Sequence, residues 1–207
     1  MHIFSRVRGV RCLAVLAVAT MTVLVSAGPS SAGSHRDPRS DVSWRVEGVA
    51  QPTSAEKARG DIVRFTYTMG RRNIFLTYKF RNWAPCPATG ECANHELRAM
   101  FTNRAESKAI TVWVTAYGRN PDLSTHLWFD DDTTGASGAL CDAGQITRQA
   151  SNSDDTLSVK VPRSCFKRGW RFATIDALAA QSWHSGDAYR DGYDFVDQVA
   201  IDWTPRH

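Results

Sequence analysis

Two stretches of strict alternation constrain this chain most. Over residues 61–69, Val63, Phe65, Tyr67 and Met69 fall on one side, with Arg64, Thr66 and Thr68 on the other. Over residues 73–81, Ile74, Leu76, Tyr78 and Phe80 share a side, opposed by Thr77, Lys79 and Arg81. Side chains of a strand alternate between its two faces, so each run predicts a strand with one buried and one wet face. Gly70-Arg71-Arg72 between them predicts the turn of a hairpin. A strand buried on one face belongs to an antiparallel sheet, and that sheet needs a second layer to cover its apolar side.

Weaker runs repeat the pattern. Residues 43–46 predict a short strand. Residues 109–117 put Ile110, Val112, Val114 and Ala116 on one face, and residues 124–129 place Leu127 with Phe129. Leu157, Val159 and Val161 alternate over residues 155–161, residues 171–180 are apolar on both sides, and Val199, Ile201 and Trp203 share a face over 198–203. Pro162 to Phe166 predicts one tight helical turn, and 93–108 a short helix or an irregular loop. Residues 33–40 read as a disordered lead-in within a flexible segment 33–58, with the folded domain over 59–207. Seven or eight short strands, polar turns and no sustained 3.6-residue period predict an all-β fold. The expected architecture is a disulfide-stapled antiparallel β-sandwich, jelly-roll or immunoglobulin-like.

Residues 1–32 carry the three-part pattern of a secretory signal peptide. Arg6, Arg8 and Arg11 come first, an apolar run from Cys12 to Ala27 follows, and Gly28-Pro29-Ser30-Ser31-Ala32 ends it in small residues. The apolar run is shorter than the roughly 20 residues of a spanning helix. The expectation is therefore a secreted, extracellular protein that begins near Gly33, with no membrane span in the mature form. Removing the three arginines changes the charge argument. The full chain has 25 Lys+Arg against 21 Asp+Glu, and the mature part has 22 against 21. A near-neutral chain lacks the basic excess of a nucleic-acid binder, so no nucleic-acid partner is expected.

Cys86, Cys92, Cys141 and Cys165 follow the leader, and an even count in an exported chain predicts disulfides. Four cysteines allow three pairings. The Pro- and Gly-containing loop from Cys86 to Cys92 favours Cys86–Cys92, which leaves Cys141–Cys165. The spacings do not match zinc-site patterns, and no Cys-x-x-Cys redox motif is present.

The segment Thr156-Leu157-Ser158-Val159-Lys160-Val161-Pro162-Arg163-Ser164-Cys165-Phe166 resembles one found in small secreted β-sandwich proteins of high-GC Gram-positive bacteria, an uncharacterised group. Cys141-Asp142, Asp202-Trp203-Thr204-Pro205 and Gly60-Asp61-Ile62-Val63-Arg64 are similar to that group as well. The resemblance spans about residues 60–205. It implies a sandwich with a Cys141–Cys165 bridge and implies no activity. Against it, the Cys86–Cys92 loop and the Asp-rich stretch 184–197 look like local additions.

Catalytic motifs are faint. His95-Glu96-Leu97-Arg98-Ala99 begins like a zinc-protease helix but has Ala99 where the second histidine belongs. Gly135-Ala136-Ser137-Gly138 lacks the spacing of a nucleophile elbow. Arg59-Gly60-Asp61 spells an adhesion tripeptide, and its plainer reading is a turn before a strand. The protein is therefore read as leaning away from enzymes. A hydrolase with a triad or acid pair assembled only in space is one alternative, and a structural envelope-associated role is another.

Two features suggest binding. Asp187, Asp191 and Asp194 in an Asp/Gly-rich stretch are candidate calcium ligands, since calcium gathers six to eight oxygens from loop carboxylates. Asp130-Asp131-Asp132 is a second acidic run, and both have the plainer reading of polar turn formers. Seven tryptophans are many for this length. Trp113 and Trp128 stand opposite the apolar stripes of their strands, with Tyr117 at the end of the first. Trp113, Tyr117 and Trp128 are thus candidate stacking platforms for an extracellular glycan; the plainer reading is cross-strand packing. The expected partner is a glycan, a cell-wall component or another protein.

Overall fold

The computed structural model describes residues 31–83, 94–116, 123–185 and 187–205. Among these residues twelve strands form two antiparallel sheets. The strands are β1 (Ser31–Arg36), β2 (Ser43–Glu47), β3 (Ile62–Met69), β4 (Asn73–Phe80), β5 (Asn94–Thr102) and β6 (Lys108–Ala116), followed by β7 (Leu123–Asp131), β8 (Ala136–Ala139), β9 (Thr147–Ser151), β10 (Thr156–Pro162), β11 (Phe172–Ser185) and β12 (Ala188–Trp203). One sheet has the order β1-β3-β4-β10-β9, and the other β2-β12-β11-β5-β6-β7-β8. Their inner faces pack together as a β-sandwich, the architecture the alternating runs predict.

The β3–β4 hairpin forms as its pattern requires from Phe65 onward; Val63, expected on the buried face, is only half-buried, because the strand bulges between Ile62 and Arg64 and Ile62 takes the core position. Phe65, Tyr67 and Met69 are buried beside Ile74, Leu76, Tyr78 and Phe80. The second sheet answers with Leu97, Ala99, Phe101, Val112, Val114, Leu127, Ile175 and Ala177. Aromatic rings fill both ends of the core. Phe65, Tyr78, Phe80 and Trp83 adjoin one another at one end, and Phe101, Phe166, Phe172 and Trp203 at the other. Such pairs add to the stabilisation that area burial alone provides.

Cys141 and Cys165 form a disulfide with Cα atoms 5.5 Å apart. Cys141 follows β8 at the edge of the seven-stranded sheet, and Cys165 ends a 3-10 turn (Arg163–Cys165) after β10 of the five-stranded sheet. The bridge therefore ties the two layers together. The expected Cys86–Cys92 bridge lies outside the described residues, as do residues 1–30 of the predicted leader and Tyr117.

Three expectations need correction. Segment 33–58 is not a flexible lead-in. Its first residues belong to β1, which ladders onto β3 from Ser31↔Met69 to Arg36↔Arg64, and β2 pairs with β12. Between β2 and β3 runs helix α1 (Ser54–Gly60). Thr53 caps it reciprocally with Glu56: Thr53 Oγ1 accepts from Glu56 N at 3.2 Å, and Thr53 N donates to the Glu56 carboxylate at 2.7 Å. Second, 93–108 is neither helix nor loop in its first part, which forms β5 at the middle of the larger sheet. Third, the described residues of 184–197, read as a loop that could gather calcium, lie in the long β11–β12 hairpin.

Candidate functional site

The outer face of the seven-stranded sheet carries an unusual file of side chains. In antiparallel ladders, directly paired residues project to the same face. Phe195, Leu178, Arg98, Trp113 and His126 are paired in turn across β12, β11, β5, β6 and β7. The next file contains Met100, Thr111 and Trp128. Trp128 is 42% exposed and Phe195 60%. Together with exposed Met100 and half-buried Leu178 and Trp113 they give this face an apolar character.

Trp113 is half-buried rather than open. The Arg98 guanidinium carbon lies 4.0 Å from its ring centroid, and Glu96 in turn pairs with Arg98. A cation over an indole face holds the ring by attraction to its π electrons. The indole Nε1 of Trp113 is buried and has no hydrogen-bond partner among the described residues. By contrast, Trp128 Nε1 donates to Asp130 Oδ1 at 3.2 Å. The two rings border a groove of about 370 Å³, with Glu96, Thr115 and His126 in its wall. Short β8 pairs with Asp131 to Trp128, Leu140 N just beyond it donates to Leu127 O at 3.0 Å, and Arg148 donates to Thr125 Oγ1 at 3.0 Å on the same edge. Two of the three predicted platform residues are thus brought together.

The predicted calcium ligands are not gathered. Asp187 sits exposed in the β11–β12 turn, and Asp191 and Asp194 lie on opposite faces of β12 because three positions separate them in a regular ladder. Asp194 instead faces inward, where its carboxylate comes within 4.8 Å of those of Asp37 and Asp41. Only 2% of Asp194 is exposed, and Ile62 N donates to its Oδ2 at 2.5 Å. Burial pushes its carboxyl up to about 7; the Ile62 N–H opposes this, while Asp37, Asp41 and Asp61 reinforce it. Sequence spacing gives no sign of this group, since its members lie on β12 and in the β1–β2 connection.

The other motifs resolve as structural. Asp61 of the Arg-Gly-Asp tripeptide is fully buried, accepting from Ser40 N at 2.8 Å and pairing with Arg81 at 3.2 Å, so it is not displayed for adhesion. His95 and Glu96 are neighbours on a strand and face opposite ways. His95 is buried edge-on to Trp83, and desolvation, aided by Arg59, lowers its pKa to about 4, which keeps it neutral. Asp131 of the triple-aspartate run holds its own turn, accepting from Thr133 N at 3.1 Å and pairing with Lys108 at 3.3 Å.

The fold and this face define a disulfide-bridged antiparallel β-sandwich with an aromatic groove. Neither a scan of protein-family models nor a search of curated proteins found a match to this chain. No helix among the described residues is long and apolar enough to cross a membrane. A disulfide joining the layers is compatible with an extracellular protein.

Proposed function

We propose that the protein is an exported, non-catalytic β-sandwich that holds a glycan or cell-wall polymer in the groove between Trp113 and Trp128. The observation that carries this reading is the pair of indoles bordering one groove, one ring exposed and the other with an unsatisfied N–H. A sugar ring presents an axial C–H face to stack on an indole and hydroxyls to hydrogen-bond at its rim. The exposed Trp128 supplies the stacking face, while Glu96, Thr115 and His126 supply polar partners. Resemblance to small secreted sandwiches supports the extracellular setting, in which such polymers are at hand.

The hydrolase alternative draws less support from this groove. Glycoside hydrolysis ordinarily needs two carboxyl groups flanking one bond. Glu96 is the one carboxylic residue lining the groove among the described residues, and it is engaged by Arg98.

The test is retention of the purified, oxidised protein on isolated cell wall and on a panel of insoluble polysaccharides. Saturable retention that Trp128→Ala removes supports the reading. Retention unaffected in a folded Trp128→Ala, Trp113→Ala double variant, or none on any matrix, rejects it. Release of soluble sugar from a retained matrix would instead favour the hydrolase.

A further inference from the structure

The opposite outer face, on the five-stranded sheet, carries charge where the first carries rings. Arg36 on β1 pairs with Arg64 on β3, and Arg64 pairs with Lys79 on β4. Three cations thus stand side by side on adjacent strands, all directed outward, as the burial alternation of the three strands requires. Like charges directly opposite each other destabilise a sheet. Among the described residues neither Arg36 nor Arg64 makes an ion pair, and Lys79 Nζ donates to the backbone carbonyl of Asp154 at 3.3 Å.

The row borders a cleft of about 450 Å³, lined by Arg36, Asp37, Arg39, Val63, Arg64 and Lys79. Arg39 adds a fourth cation from the loop after β1. Asp37 is the one acid in the lining among the described residues, and its carboxylate lies within 4.8 Å of those of Asp41 and Asp194. Asp37 N donates to Val63 O at 3.3 Å, which extends the β1 ladder to the cleft floor. The β3 strand bulges between Ile62 and Arg64, where it re-aims the chain at this point.

We infer that this cleft binds a phosphate or sulfate group through Arg36, Arg39, Arg64 and Lys79. Several converging cations match a doubly charged or repeating tetrahedral oxyanion better than a single carboxylate. The planar guanidinium fork gives two parallel N–H donors to such a group. The anion could arrive as the free ion or as an ester on a polymer, and the chemistry of recognition is shared. Below the row, the same face presents Thr66, Thr77 and Ser158, with Thr77 Oγ1 and Ser158 Oγ 3.0 Å apart. These hydroxyls extend a polar track away from the cations. The site is separate from the Trp113–Trp128 groove, so its failure leaves that reading standing.

The experiment is titration of the purified, oxidised protein with inorganic phosphate, inorganic sulfate and acetate at constant ionic strength, followed by NMR and thermal unfolding. Saturable shifts with phosphate and sulfate are expected, with acetate at least about tenfold weaker. The double variant Arg36→Gln, Arg64→Gln is expected to lose them. Without added anion it is expected to melt no lower than the parent, because the substitutions remove opposed charges. Lys160→Gln, which removes a cation from the same sheet face beside Phe75 and outside the cleft, is expected to bind as the parent does. A phosphorylated polysaccharide compared with its neutral parent separates the sources: tighter binding than inorganic phosphate assigns the polymer ester, and equal or weaker binding the free ion. Absence of saturable binding, unchanged binding in the double variant, or an equal loss in Lys160→Gln would overturn the assignment.

Discussion

The Asp194 carboxylate on β12 accepts the backbone N–H of Ile62 on β3 at 2.5 Å. That bond joins the seven-stranded sheet to the first residue of a core strand in the five-stranded sheet, just beyond Asp61. It also leaves a carboxyl buried among Asp37, Asp41 and Asp61, which raise its pKa further.

Stability should fall as pH rises because of Asp194. Its ordinary carboxyl value is 3.8, and burial moves it up to about 7 in the fold. Between these values the native state keeps a proton that the unfolded chain has released. The stabilisation from this group is therefore complete below the ordinary value and lost as pH rises through the raised one, with a slope of at most about 1.4 kcal/mol per pH unit. Asp194→Asn keeps an oxygen for Ile62 N–H and removes the proton. Unfolding followed from pH 4 to pH 8 should show a shallower decline in the variant, and parallel curves would count against this account.

Removing the Cys141–Cys165 bridge should cost about 3 kcal/mol, the chain-entropy value for a loop of this size; the two cysteines are 24 apart in sequence. Cys141→Ser, Cys165→Ser should lower the denaturant midpoint. Adding reductant should then bring the parent down toward the variant.

Gly192 on β12 lies opposite Trp44 on β2, and a Cβ there would sit 2.7 Å from the indole ring. Gly192→Ala should therefore displace Trp44 and destabilise by about 1–3 kcal/mol, the usual range for overpacking. A red-shifted tryptophan emission in the folded variant would report the ring moving toward water, and an unchanged melting temperature would reject the clash.

Trp128→Ala should separate binding from folding. Its ring is exposed, so stability should change by less than about 1 kcal/mol. Affinity for a polymer retained by the parent should fall by roughly tenfold if one stacking contact is lost. Equal affinity measured by depletion would remove Trp128 from the site.

The sandwich was legible where apolar and polar residues alternate without interruption, as in β3, β4 and β10. It was illegible where the partner supplies the bulk. In β1, Gly33 has no side chain, and a Cβ at that position would meet the Tyr67 ring at 2.6 Å. The ring of β3 fills the space, so β1 carries no hydrophobic period of its own. In β5 the buried face is His95, Leu97, Ala99 and Phe101, where a histidine and an alanine dilute the signal. Trp113 and Trp128 could be placed on one outer face by period alone, but the cover of Trp113 by Arg98 depends on pairing with β5, which sequence had not supplied. The acidic group around Asp194 and the cation row on β1, β3 and β4 are products of strand register, and spacing along the chain does not encode them.

The position of β1 bears on how the predicted leader junction could be cut. A leader peptidase that cuts between Ala32 and Gly33 needs that bond as accessible, unpaired chain, yet in the finished fold Ala32 is laddered to Thr68 and Gly33 to Tyr67. If the chain is cut there, the cut must come before the N-terminal strand closes. Once closed, the ladder from Ser31↔Met69 to Arg36↔Arg64 withdraws the backbone of β1 from any protease and seals the outer edge of core strand β3.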